Sequence, residues 1–208
     1  GKSWKNMGLG KSEHIGKILI DPNNSNVIYV AAMGPLWNAG GERGVYKSTN
    51  GGGSWERILH IDEHTGISDI VFDPRNPKVI YAAAQQRRRH VFTYIGGGPG
   101  SGIHKTNDGG KTWEKVLYVS DEVGACDLVL DPNNPRIIYA SMWRIKRTPY
   151  SLSSGGEGSG LWKSTDGGDT WTEITSNEGL PEGNVGIIGV AISPLNSERI
   201  WALIENRE

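Results

Sequence analysis

The stretch Gly98–Trp113, GPGSGIHKTNDGGKTW, admits two readings, and the choice between them decides the fold. The glycines ahead of Lys105-Thr106 have the look of a phosphate-cradling loop. The run Thr106-Asn107-Asp108-Gly109-Gly110-Lys111-Thr112-Trp113 reads instead as a tight turn anchored by tryptophan. A phosphate loop needs glycine, lysine and serine or threonine contiguous, so that the lysine leaves the loop beside a helix start. Here Ile103 and His104 separate Gly102 from Lys105, and no helical pattern follows. Lys105-Thr106 also aligns with Lys47-Ser48 and Lys163-Ser164, where no such glycine loop precedes. The nucleotide reading fails.

Working outward, VYKSTNGGGSWERIL (45–59), IHKTNDGGKTWEKVL (103–117) and LWKSTDGGDTWTEIT (161–175) align without gaps at a constant offset of 58 residues. A second set interleaves with them: DPNNSNVIYVAA (21–32), DPRNPKVIYAAA (73–84), DPNNPRIIYASM (131–142) and the weaker SPLNSERIWALI (193–204). Self-similarity at a fixed period marks repeated supersecondary units. Each unit reads as four strands, illustrated by Ile15–Asp21, Val27–Met33, Gly44–Ser48 and Ser54–Leu59. β-Branched and aromatic residues fill these runs, and Asp-Pro-Asn-Asn or Asn-Gly-Gly turns bound them. No segment keeps a capped period of 3.6, so little or no helix is expected.

Four-stranded antiparallel units repeated radially make a β-propeller, and a β-solenoid would use shorter repeats. The fold expected is therefore all-β, with blades at about 14–59, 67–118 and 124–175, a partial blade at 186–206, and residues 1–9 as the last strand of a preceding blade. Residues 1–208 are then one segment of a larger propeller. Composition agrees: 30 glycines and 10 prolines among 208 residues suit short strands and tight turns. The net charge of −1 gives no global attraction to nucleic acid, and no apolar run is long enough for a membrane span. The lone Cys126 excludes an intrachain disulfide.

The pattern Ser/Thr-x-Asp-x-Gly-x-Thr/Ser-Trp resembles the Asp-box, or BNR repeat. Thr106, Asp108, Gly110, Thr112 and Trp113 match it, as do Ser164, Asp166, Gly168, Thr170 and Trp171. Ser48, Asn50, Gly52, Ser54 and Trp55 match with asparagine in place of aspartate. The acidic or amide side chain accepts backbone N–H bonds, glycine permits positive φ, and tryptophan packs the hairpin against a neighbour. The resemblance implies a structural box joining the third and fourth strands of each blade. It extends to sortilin-type, xyloglucanase-type and photosystem assembly-factor propellers, and above all to large bacterial secreted proteins labelled sortilin-like or BNR-repeat glycosyl hydrolases. It implies a secreted, periplasmic or cell-surface location, although no signal peptide lies in these residues. Two functions follow from it: a non-catalytic module binding a protein, peptide or glycan, and a part of a glycoside hydrolase acting on extracellular polysaccharide.

An antiparallel meander puts alternate connections on opposite faces. The short Asp-Pro and Asp-box turns share one face. The other carries variable connections such as GPLWNAGGER (34–43), QQRRRHVFTYIGGGPGS (85–101) and WRIKRTPYSLSSGGEGS (143–159). Variable loops on a rigid scaffold are where binding concentrates. Two of these share a plan of basic cluster, aromatics and glycine-rich return: Arg87, Arg88, Arg89, His90, Phe92 and Tyr94, then Arg144, Lys146, Arg147 and Tyr150. The two basic stretches are expected side by side and suited to an anionic or sugar-like ligand. The competing reading has these cations paired with Asp62, Glu63, Asp121 and Glu122, merely pinning the loops.

Glycoside hydrolysis needs two carboxylates about 5–5.5 Å apart for retention or roughly 6.5–9.5 Å for inversion. Asp62, Glu63, Asp121, Glu122, Glu178 and Glu182 are available, but no motif pairs them. The five histidines have no zinc spacing. Cys126, in an inner strand, reads as a small apolar residue. No catalytic residue, metal or cofactor is assigned.

Overall fold

The computed structural model describes residues 1–206. The first unit holds β1 (Ile15–Asp21), β2 (Asn24–Met33), β3 (Arg43–Ser48) and β4 (Glu56–Leu59), paired in that order into one antiparallel sheet. In the second unit β5 (Thr65–Asp73) and β6 (Asn76–Gln86) are followed by a short hairpin, β7 (Arg88–His90) and β8 (Thr93–Ile95), before β9 (Gly102–Thr106) and β10 (Glu114–Leu117) complete the blade. The third has β11 (Val123–Leu130), a long β12 (Ile138–Arg147), a short β13 (Leu152–Ser154), β14 (Gly160–Ser164) and β15 (Thr172–Glu173). β16 (Val185–Ile192) and β17 (Ile200–Asn206) pair as the first half of a fourth. Among the described residues there is no helix. The chain is an all-β propeller segment of four-stranded antiparallel blades.

The apolar runs are nearly continuous because blade strands are buried on both sides. Along β2, Tyr29 and Ala31 enter the core shared with the second blade, while Val30 and Ala32 face the opposite side with Trp55 and Leu9. Along β6, Ile80, Ala82 and Ala84 face the first blade, and Tyr81 and Ala83 face the third. Successive side chains point to opposite faces, so one strand serves two interblade cores. Trp113 and Trp171 pack into the cores between their own blade and the one before it, as the repeat implied.

Each box is an internally bonded hairpin. Asp166 accepts bonds from the Ser164 hydroxyl (2.8 Å), the Thr170 amide (2.9 Å) and the Thr170 hydroxyl. Asp108 makes the equivalent set and adds the Lys111 amide at 2.8 Å. At Asn50 the side-chain amide donates to Ser54 instead, at 3.0 Å. Gly52, Gly110 and Gly168 all have positive φ (87°, 97° and 90°), which other residues rarely adopt. The amides of Gly51, Gly109 and Gly167 donate to Asn26, Lys78 and Arg136, each at 2.9 Å, so the box lies beside the Asp-Pro turn on one face.

Lys47, Lys105 and Lys163 lie over the rings of Tyr29, Tyr81 and Tyr139. The first two reach the next blade's box, at the Gly109 carbonyl and at Asp169, and Tyr81 donates to the Gly167 carbonyl at 2.8 Å. Inner strands are also stitched. Asp69 on β5 pairs with Lys17 on β1 (2.8 Å) and accepts the Leu128 amide of β11, and Asp127 accepts the Val190 amide of β16.

Residues 1–9, expected as a strand, have no strand pairing; they cross the first blade, where the Trp55 indole N–H donates to the Met7 carbonyl at 2.7 Å. Cys126 is half-buried on β11, and burial pushes its thiol up to about 12, in keeping with the small apolar role read from the sequence.

Candidate binding face

The variable connections gather on the face opposite the boxes. The Gly40 amide donates to the Glu63 carbonyl (2.7 Å) and the Arg87 amide to the His64 carbonyl (2.9 Å), tying each second-to-third connection to a fourth-to-first one. Two of the connections are not loops. β7 pairs with β8, β8 pairs with the far end of β12, and β12 pairs with β13, giving a four-stranded sheet that bridges two blades. The tip residues Val91 and Phe92 stay exposed while Thr93, Tyr94 and Ile95 are half-buried, and β12 runs past its own blade to supply the partner. The glycine-rich return lets this sheet approach the blade: a side chain at Gly97 would collide with the backbone at Glu122–Val123.

This arrangement corrects the expected side-by-side placement, because β8 lies between the two basic stretches. Directly opposed residues of antiparallel strands share a face. Arg88, Ile95, Lys146 and Ser153 therefore form one cross-strand row, and Arg89, Tyr94, Arg147 and Leu152 form a row on the other side. Arg87 turns inward to the Met33 sulfur and the Tyr94 hydroxyl. Burial pushes the Tyr94 phenol up, and the nearby arginines oppose that only in part. Arg89 lies over the Trp37 ring, 4.8 Å from its centre, and His90 stacks on Phe92.

Only part of the loop-pinning expectation is realised. Arg144 pairs with Glu122, while Arg87, Arg88, Arg89, Lys146 and Arg147 have no carboxylate partner among the described residues. Asp62 and Asp121 are otherwise engaged. Asp62 accepts the His64 and Thr65 amides and the Thr65 hydroxyl. Burial works to raise its pKa, but those bonds outweigh it and hold the carboxyl below its usual range. Asp121 accepts the Tyr118 hydroxyl at 2.6 Å. Each has a local structural partner, and none is poised opposite a second carboxylate by these contacts.

At the tips of the two hairpins Val91, Phe92, Arg147, Pro149, Tyr150 and Leu152 line an open groove of about 530 Å³. Tyr150 is 96% exposed and Phe92 62%. The groove is amphipathic: aromatic faces beside a guanidinium.

Sequence reasoning missed Arg43. It is fully buried, and its guanidinium donates to the carbonyls of Met33 (2.6 Å), Pro35 (2.5 Å), Asn38 (2.8 Å) and Gly40 (3.0 Å), fastening the connection that presents Trp37. A signal was available. The positions 58 and 116 residues on are Ser101 and Ser159, whose hydroxyls accept the Gln86 and Arg144 amides and close the same connection in the next two blades.

Residues 43–184, more than half of the chain, match the family model Sortilin-Vps10, described as sortilin, neurotensin receptor 3. This chain belongs to the Sortilin-Vps10 family. Among characterised relatives of this family member, the xyloglucanase Xgh74A of Acetivibrio thermocellus is 28% identical over 186 residues, covering 83% of this chain and 19% of its own length. A xyloglucanase of Hypocrea jecorina is likewise 28% identical over 186 residues, with 84% and 19% covered. The chain thus spans about one fifth of the relatives it matches. Of solved structures, the GH74 xyloglucanase from Xanthomonas campestris superimposes with a TM-score of 0.62 at 17% identity, covering 92% of this chain and 27% of that one. An ancestral GH74 enzyme gives 0.59 at 23%, with 87% and 21% covered. These likenesses establish the fold.

Proposed function

We propose that this propeller segment binds a glycan through its hairpin face, as part of a larger polysaccharide-active protein that is secreted or held at the cell surface. The observation that carries the reading is the groove between the hairpin tips, where Phe92 and Tyr150 project into solvent beside Arg147. Contiguous exposed apolar patches mark binding sites where scattered single residues do not; Val91, Phe92, Tyr150 and Leu152 lie together here, and flat rings suit the apolar faces of sugars. Xyloglucanase relatives favour a glycan over a peptide. The face's own carboxylates Asp62, Asp121 and Glu122 are held by local partners, which favours a binding role for these residues over a catalytic one. Further blades of the same protein are the natural cover for Ile18 and Ile20 on β1 and for Trp201 and Leu203 on β17, all largely exposed.

The test is calorimetric titration of the chain with xyloglucan and other soluble polysaccharides. Binding is expected, and Phe92→Ala with Tyr150→Ala should weaken it at least about tenfold, equal to about 1.4 kcal/mol. Because both side chains are exposed, the melting temperature should stay put. Equal affinity in the double variant, or no binding to any polysaccharide, refutes the reading. A second reading, that the segment supplies catalytic groups of a glycoside hydrolase, draws on the xyloglucanase relatives. Release of reducing sugar from xyloglucan by this chain would establish it.

A further inference from the structure

We propose that the groove's occupant is an acidic polysaccharide, one whose sugars carry carboxylates; this rests on the glycan-binding reading above. The argument is charge complementarity. Six Arg and Lys side chains stand on or beside the bridging sheet, and Glu122 neutralises only Arg144. Arg88, Lys146 and Arg147 point into the two sides of the sheet with no carboxylate partner among the described residues.

Their spacing is fixed by backbone pairing. Arg88 and Lys146 oppose the same residue, Ile95, from either side, and Arg89 and Arg147 likewise flank Tyr94. Each pair is two interstrand spacings apart, about 10 Å. A rigid sheet therefore holds like charges at a set separation, where a flexible loop would let them spread. Positive groups kept close together raise the local potential well above that of a molecule with net charge −1. A neutral glycan gains nothing from this arrangement. A chain with a carboxylate on successive sugars meets Arg147 inside the groove while its rings lie on Phe92 and Tyr150. Guanidinium groups bind planar carboxylates with two parallel hydrogen bonds. The aromatic tips favour such a glycan over an acidic peptide, which would use the charges without needing flat rings.

The test compares soluble polygalacturonate, the same polymer with its carboxyl groups reduced to alcohols, xyloglucan and poly-glutamate, at low and at high salt. Polygalacturonate should bind at least tenfold more tightly than its reduced form, and the advantage should shrink as salt screens the charges. Arg147→Gln should bring the ratio of acidic to reduced polymer toward one, and Arg88→Gln with Lys146→Gln, on the other side of the sheet, should lower it by less. Phe92→Ala with Tyr150→Ala should weaken both polymers together. If the reduced polymer or xyloglucan binds as well as polygalacturonate, this inference fails while the glycan-binding reading stands. If no polysaccharide binds, both fail. Poly-glutamate binding as tightly, and unaffected by loss of Phe92 and Tyr150, would overturn the inference in favour of a protein partner.

Discussion

Replacing Arg43 with methionine should loosen the first blade's contribution to the binding face and lower the stability of the whole segment. The substitution keeps much of the side-chain volume but removes the four bonds to Met33, Pro35, Asn38 and Gly40. The Pro35 carbonyl lies in a fully buried bond, and stranding it costs about 1–3 kcal/mol. The other three acceptors are only partly buried; water restores some of their bonding, leaving a loss of about 0.5–1 kcal/mol each. Against this stands the relief of no longer burying a cation. Burial, and then the charge of Arg87, already hold the Arg43 pKa below its usual value. The net cost is about 3 kcal/mol, or a fall of roughly 6–12 °C in melting temperature for a chain of this size. Arg43→Lys, which offers a point charge in place of a fork, should fall between. Thermal unfolding followed by circular dichroism measures the first effect, and hydrogen exchange of amides 34–42 measures the second. A methionine variant that melts within about 2 °C of the parent and keeps its protection in that connection would refute the reasoning.

Three further outcomes follow from the boxes and the inner strands. Asp166→Ala should lower the melting temperature clearly while Asn50→Asp leaves it almost unchanged, since aspartate makes the same bonds at the equivalent Asp108; equal melts for Asp166→Ala and the parent would remove the box from the stabilising contacts. The Thr112 and Thr170 hydroxyls, ahead of the backbone amides, hold the pKa values of Asp108 and Asp166 well below the ordinary range. Their contribution is therefore present above about pH 4 and lost as pH falls below it, a loss that acid titration of Asp166→Ala should show in reduced form. Asp69 behaves in the opposite sense: burial pushes it up to about 6 despite the Lys17 pair, so stability from this group is greatest below about pH 4, declines as pH rises toward 6, and is flat beyond. The change approaches about 3 kcal/mol, and Asp69→Asn should abolish the slope in melts between pH 4 and 7.

The blades were legible in the sequence because their determinants are local. A box needs Ser or Thr, then Asp, then Gly within five residues, and those residues bond to one another wherever they occur. A nearly continuous apolar run along a strand likewise reports two buried faces without reference to any partner. The assignment of the two sides of the propeller also came from sequence, because in a meander the order of turns fixes which connections share a face. What neighbours in sequence could not settle was who pairs across blades. Whether Thr93–Ile95 forms a strand depends on the end of β12, some fifty residues away, arriving at hydrogen-bonding distance, and that depends on the radial stacking of two whole blades. The same holds for charge. Arg144 and Arg147 stand three residues apart in one basic run, yet only the first meets a carboxylate, because Glu122 enters from the connection ahead of β11 and reaches the base of the sheet rather than its tip. The sequence determined the repeat, its turns and its two faces; tertiary structure alone decided which cations are spent on the fold and which remain for a ligand.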